Sequence, residues 1–236
     1  MPSNYIDNLS LVPHIKKEHL DDVAKAFLID TCREALEHPM PIPIMQIARK
    51  ELKLRVLTDY RLSEDMSILG MCCFTNGVVD IYDKDEDEFR EMVVRAGTIL
   101  IDPDTYFMRN LGCFDNTLAH ECVHWHDHRF YHFAMAAKEK AMAVACRCPV
   151  EQKSEDTQNT WTDEDWMEWQ ASSLAPRILM PKQTFPQQID VIKRDIVRVE
   201  GLHHLADRAI IKRTADFFKV SVQSATIRVE ELGITL

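Results

Sequence analysis

The stretch T-L-A-H-E-C-V-H-W-H-D-H-R-F-Y-H, residues 117–132, holds five of the ten histidines of a 236-residue chain: His120, His124, His126, His128 and His132. Leu118, Cys122, Val123 and Phe133 recur at helical spacing, which predicts a helix from Asn116 to about Ala145. Residues four apart on a helix share a face, one turn above each other, so His120 and His124 present two imidazoles side by side. Two nitrogen ligands on one rigid element make half of a zinc site. Glu121 completes an H-E-x-x-H string, and a carboxylate there stands beside the open position of the metal. From that place it can take a proton from water and carry it to a leaving amine.

The pairs His124 with His128 and His128 with His132 have the same spacing, but Trp125 and Arg129 follow their first members. They could grip a metal but lack the proton shuttle. His126, His128 and His132 therefore read as a solvated or outer polar face near the helix end. A catalytic site with two histidines needs a third protein ligand, leaving one position open. Glu168 is the candidate, because the small residues Ala171, Ser172 and Ala175 fall on its helical face and would allow close approach to the histidine helix. Glu164 and Asp165 are its rivals.

The remaining composition bounds the function classes. A formal net charge of −10 disfavours non-specific attraction to nucleic acid or anionic membranes, with acidic residues dense at 83–91 and 151–168. The start M-P-S-N-Y-I-D-N-L-S lacks the features of a secretory signal, and no apolar run approaches a membrane span, so a soluble cytoplasmic protein is expected. Seven cysteines without a repeating pattern suit a reducing compartment. Cys72-Cys73 and Cys146-Arg147-Cys148 have no second properly spaced pair, which disfavours a thiolate metal site.

Along the chain, residues 18–37 read as a helix stopped by Pro39, Pro41 and Pro43, and a short helix follows over about 44–52. Segments 53–57, 67–74, 78–82 and 98–101 are rich in β-branched and apolar residues and predict a small sheet of three or four strands, with the acidic run among the separators. Residues 147–161 are polar and aperiodic and read as a loop or insertion. Thr162, followed by three acidic residues, is a good N-cap for a helix ending before Pro181. Two or three helices remain, with Ser221 the expected N-cap of the last and Gly233 its stop.

Together these residues resemble the ImmA/IrrE family of zinc metallopeptidases. T-L-A-H-E-C-V-H (117–124) resembles the family's T-x-A-H-E-x-x-H. T-I-L-I-D (98–102) is similar to its apolar strand ending in Asp or Asn. E-W-Q-A-S-S-L-A-P-R-I-L-M-P (168–181) resembles E-x-x-A-N-x-F-A-x-x-L-L-M-P, and residues 215–234 resemble the closing V-S-x-x-A-x-x-x-R-L-x-x-L-G pattern. The likeness covers about residues 27–234. It implies His120, His124 and Glu168 as zinc ligands, Glu121 as general base and acid, and the strand at 98–102 as the place where an extended peptide adds to the sheet. Ser172 stands where the family often has Asn or Asp, Leu174 where it has Phe, and the gap between His124 and Glu168 is longer.

The expectation is thus an α+β protein, with a mostly helical zincin-like metallopeptidase core bearing a small three- to four-stranded sheet over 1–190 and a helix-turn-helix-like module over 191–236. The resemblance implies a zinc endopeptidase acting on a protein substrate, a helix-turn-helix transcriptional repressor that controls DNA-damage or mobile-element genes. The alternative is a regulatory protein that keeps the fold and acts by contact without proteolysis. Residues 205–236 hold five Lys or Arg against four Asp or Glu, too balanced for a phosphate-binding face, so direct nucleic-acid binding is not expected. Tyr131, His126, His128 and Arg177 are candidate oxyanion donors.

Overall fold

The computed structural model describes residues 11–106, 111–138, 145–149, 158, 160–196 and 203–236. Its strands are β1 (Arg55–Leu57), β2 (Ile68–Cys73), β3 (Gly77–Asp83), β4 (Glu88–Val94), β5 (Thr98–Ile101) and β6 (Ala145–Pro149). Its helices are α1 (Leu20–Thr31), α2 (Ile44–Gln46), α3 (Leu111–Val123), α4 (Arg129–Lys138), α5 (Asp163–Leu179), α6 (Phe185–Arg194), α7 (His203–Phe218) and α8 (Val222–Glu231). Two π-helical turns, Ile47–Glu51 after α2 and His124–His128 between α3 and α4, interrupt the helical runs. The fold is α+β and mostly helical.

Four strands form a mixed sheet in the order β1-β5-β2-β6, and β3 pairs with β4 as a separate hairpin. Side chains alternate across a strand, so the apolar runs of β2 and β5 bury two faces at once. Cys72, Ile99 and Ile101, with Phe74 just beyond β2, join the main core, where Leu118, Ala119, Cys122 and Val123 of α3 meet them. Met71, Cys73 and Leu100 face the other way, onto Leu62, Val79 and Val94 beneath the hairpin. The sheet is a wall between two cores, and the histidine helix lies against one of its faces.

Several expectations change here. The helix expected over 18–37 ends at Thr31, because Cys32 leaves the helical region (φ −156°, ψ 66°), and only a 3₁₀ turn covers Arg33–Leu36. The acidic run is no mere separator, since its end supplies β4. Asp83 accepts the N–H groups of Asp85 and Glu86 to close the turn, and Arg90 pairs with Asp83 across the hairpin at 2.9 Å. The histidine helix does not reach Ala145, which begins β6, and the segment read as a loop over 147–161 gives its first three residues to that strand. Residues 150–157 and 159 of that segment lie outside the described ones. The strand at 98–102 has no open edge over Thr98–Leu100. There β5 pairs with β1 on one side and with β2 on the other, so an added peptide strand finds no free backbone.

The last three helices gather their own apolar cluster around Met180, Phe185, Ile189, Ile210, Phe218 and Ala225. Ser221 caps α8 by accepting the Ser224 N–H at 3.0 Å, and Gly233 ends it with φ +61°, as the sequence indicates. The turn between α7 and α8 packs against α3 at Gly112, where an added Cβ would lie 2.6 Å from the Ser221 nitrogen. That turn is docked on the helix that carries the histidines. No helix among the described residues is long and apolar enough to cross a membrane.

Arg228 of α8 joins this module to the rest of the chain. Its side chain is 1% exposed, and it donates to the Met180 carbonyl (3.1 Å), to Glu231 (3.2 Å) and to Asp21 near the start of α1. Glu231 in turn accepts from Arg177 of α5 at 2.7 Å. Removing the guanidinium strands the Met180 carbonyl, takes from Asp21 its Arg228 partner and leaves Glu231 with Arg177 alone. Arg228→Ala is expected to lose about 2–4 kcal/mol of stability, read as a lower urea midpoint at unchanged m value.

Candidate metal centre

Helix α5 carries the group that completes the histidine pair. Its N-terminus is fixed by a capping box, in which Thr162 Oγ1 accepts from the Asp165 N–H and Asp165 accepts from the Thr162 N–H. Ala171 and Ala175 are fully buried, and they let α5 run closely along α3 and α1. Glu168, one turn before Ala171 and Ser172, then reaches over the histidine helix. Asp165 is committed to the cap and Glu164 is exposed, so neither rival joins the cluster.

His120, His124 and Glu168 converge, with ligand atoms all within 4.8 Å of one another. The Nε2 atoms of the two histidines lie 2.9 Å apart, and Glu168 places Oε2 3.2 Å from His120 Nε2 and Oε1 3.3 Å from His124 Nε2. The histidines are 2% and 0% exposed, whereas Glu168 keeps 20% of its side chain in contact with solvent. This buried group could bind a metal ion, and it is the one such group among the described residues.

The outer faces of both rings are held. His120 Nδ1 meets Ser172 Oγ at 3.2 Å. His124 Nδ1 meets His128 Nδ1 at 3.0 Å, and His128 Nε2 meets Gln170 Oε1 at 3.0 Å. His128 follows His124 by four residues, the spacing that also brings His120 and His124 together, and the two pairs of rings meet alike, with centroids 4.7 and 5.1 Å apart and planes at 64°.

Burial lowers the pKa of His120, partly offset by its contact with the Glu168 carboxylate, which accepts from Nε2. Burial also sets His128 well below the ordinary histidine value, with the His124 charge adding to the effect, and it brings His132 down to about 4. Burial would raise Glu168, but the imidazoles of His124 and His120 beside it outweigh burial and hold the carboxyl well below its usual range. His128 and His132 are thus buried neighbours of the site, not solvated. His132 stacks on Phe74 with ring centroids 3.9 Å apart, and His126, half-buried against Asp127 and Asp30, is the one of the three that keeps to the surface.

Glu121 is completely buried, and neither carboxyl oxygen has a hydrogen-bond partner among the described residues. Burial, followed by the charge of Glu168, drives its pKa well above the ordinary carboxylate value. A carboxyl so placed holds its proton more tightly than one in water, and a cation beside it would shift it back toward the carboxylate. The room for it comes from Gly70 in β2, where an added Cβ would sit 2.6 Å from Glu121 Oε1 and 2.8 Å from Thr117 Cγ2. A glycine inside a strand often marks a close approach of this kind, and it is the signal by which this residue could have been found in the sequence.

Other expected roles resolve differently. Arg177 donates to the Ser173 carbonyl and to Glu231, and His128 is bonded at both nitrogens behind His124, so neither is placed to meet a reacting oxygen. Asp102 is structural, accepting the N–H groups of Leu62 and Asp104 at 2.9 and 3.0 Å. Cys72 and Cys73 fall on opposite faces of the sheet and belong to different cores, so they cannot share a metal. No family model matches the chain, and no curated protein matches it either.

His120→Ala, His124→Ala and Glu168→Ala are each expected to lose bound metal, measured as metal per chain after equilibrium dialysis, while Glu164→Ala retains it. Full metal content in Glu168→Ala would remove that residue from the ligand set.

Proposed function

We propose that the chain is a zinc-dependent endopeptidase of the ImmA/IrrE type, cleaving a peptide bond in a protein substrate. The observation that carries the reading is the convergence of His120, His124 and Glu168 beside a buried Glu121 whose oxygens have no partner among the described residues. Two imidazoles and a carboxylate are a donor set that catalytic zinc takes, and such a set leaves a fourth position open. Ligands about 2.0–2.1 Å from a tetrahedral zinc lie about 3.3 Å from each other. The separations of 2.9, 3.2 and 3.3 Å fit an ion of that size.

When bound, zinc supplies Lewis acidity, polarising a carbonyl and bringing the pKa of water toward about 7. The residues of the chain do the rest. His120 and His124 hold the ion on one rigid helix, and Glu168 closes the third position from α5. Glu121 takes the proton of the attacking water and gives it to the departing amide nitrogen, so that one carboxyl serves as base and then acid. The buried wall of β2 beside it keeps bulk water from competing for that proton. The class of substrate, a helix-turn-helix repressor, rests on the resemblance of the sequence motifs, and a place inside the cell rests on the unpatterned cysteines, which suit a reducing compartment.

Glu121→Gln keeps the shape and removes the base. It is expected to bind zinc as the parent does and to cut an unfolded protein substrate at least a hundredfold more slowly, in keeping with the roughly 10²–10⁴-fold contribution of such a group. Parent-like cleavage by this variant would overturn the mechanism. A zinc-loaded parent that binds a repressor but cleaves nothing would instead support action by contact.

A further inference from the structure

The hydrogen bonds behind His124 form a chain whose direction is fixed at its far end. The Pro13 carbonyl can only accept, so the Gln170 side chain must turn its NH₂ group toward it. Gln170 Oε1 then faces His128 Nε2 at 3.0 Å, and that nitrogen must carry a proton. His128 is fully buried and hydrogen-bonded to no carboxylate among the described residues, so it is a neutral ring with one N–H. Its Nδ1 therefore offers a lone pair to His124 Nδ1, 3.0 Å away, and His124 must donate. As the neutral ring that a metal ligand must be, a His124 that donates from Nδ1 has an unprotonated Nε2, and that atom lies beside His120 and Glu168. The hydrogen-bond directions follow one from the next, starting at Pro13, away from the metal centre.

We propose that His128 and Gln170 are positioning residues: anchored on the Pro13 carbonyl, they fix the tautomer and direction of His124 so that Nε2 is presented as a metal ligand. This rests on the metal-centre reading above and adds to it two residues that touch neither metal nor substrate. It also ties the segment around Pro13, whose neighbours Val12 and Ile15 are buried, to the ligand field of the site.

The test uses the full chain and zinc alone, with affinity measured by competition against a chromophoric chelator. His128→Leu and Gln170→Met are expected to bind zinc about 10- to 100-fold more weakly than the parent. His128→Asn, whose Oδ1 can accept from His124 in the place of the lost Nδ1, should recover most of the loss in His128→Leu, and His126→Gln, outside the chain of bonds, should bind as the parent does. Long-range ¹H–¹⁵N spectra of the zinc-loaded parent should show His124 protonated on Nδ1 and metal-bound through Nε2. Parent-like affinity in His128→Leu, an equal loss in the Asn and Leu variants, or a His124 proton on Nε2 would each overturn the relay while leaving a zinc-binding parent intact. If His128→Leu does not fold, the tautomer in the unaltered protein decides. A parent that takes up no zinc would sink the metal-centre reading itself.

Discussion

Two imidazole nitrogens and a carboxylate meet within hydrogen-bond distance of one another inside the protein, and most of the described structure can be understood as what holds them there. Electron-rich atoms so placed repel each other, and burial removes the water that would relieve them. A cation between them turns the same arrangement from a cost into a gain. The histidines come from one helix, but Glu168 comes from another, so the geometry depends on how closely α3 and α5 can approach. Buried alanines at 171 and 175 set that distance, while the capping box at Thr162 fixes the start of α5. The sheet backs α3 from the other side, and Arg228 and Arg177 tie the C-terminal helices to α5.

Much of this centre was legible in the sequence because helical periodicity converts spacing directly into geometry. His120, Glu121 and His124 needed only a helix, and Glu168 needed one more helix with small residues on its inner face. The rest was hidden in contacts between distant parts of the chain. Spacing puts His128 on the face of His124, but only the fold shows that it is buried between that ring and Gln170. Gln170 lies two positions from Glu168, a spacing that helical periodicity puts on another face, yet it bears on the same centre through His128. The Pro13 carbonyl is a backbone group, and no residue pattern announces its use.

The four expected strands are present, and the two that were missed, β4 and β6, were hidden for a different reason. Strand β4 reads as charge because its exposed positions carry Glu88, Arg90 and Glu91, while only Val94 is fully buried and Met92 partly so. Strand β6 lies in a polar, aperiodic stretch, and its pairing with β2 is a long-range fact, with Cys148 opposite Gly70. Local composition carries no information on either partner. The same limit explains the misplaced edge, since T-I-L-I-D looks alike whether β5 ends a sheet or sits inside it. Only the parallel pairing of β1, residues far upstream, shows that it sits inside.

The places where the chain breaks ordinary rules are concentrated around one point. A glycine interrupts a buried strand at position 70, a carboxyl at 121 is buried without a hydrogen-bond partner among the described residues, and a helix widens at 124–128. Each costs stability on its own: an interior strand loses a side chain, a polar group loses its solvation, and a regular hydrogen-bond ladder is interrupted. Ordinary cores have no use for any of them, and a sequence selected only for folding would replace the glycine and the glutamate with a matched apolar pair. Their meeting beside His120 and His124 makes sense if each serves the same chemistry. Gly70 gives room to Glu121, burial makes Glu121 hold a proton tightly, and the widened turn carries His124 and His128, which meet through their Nδ1 atoms.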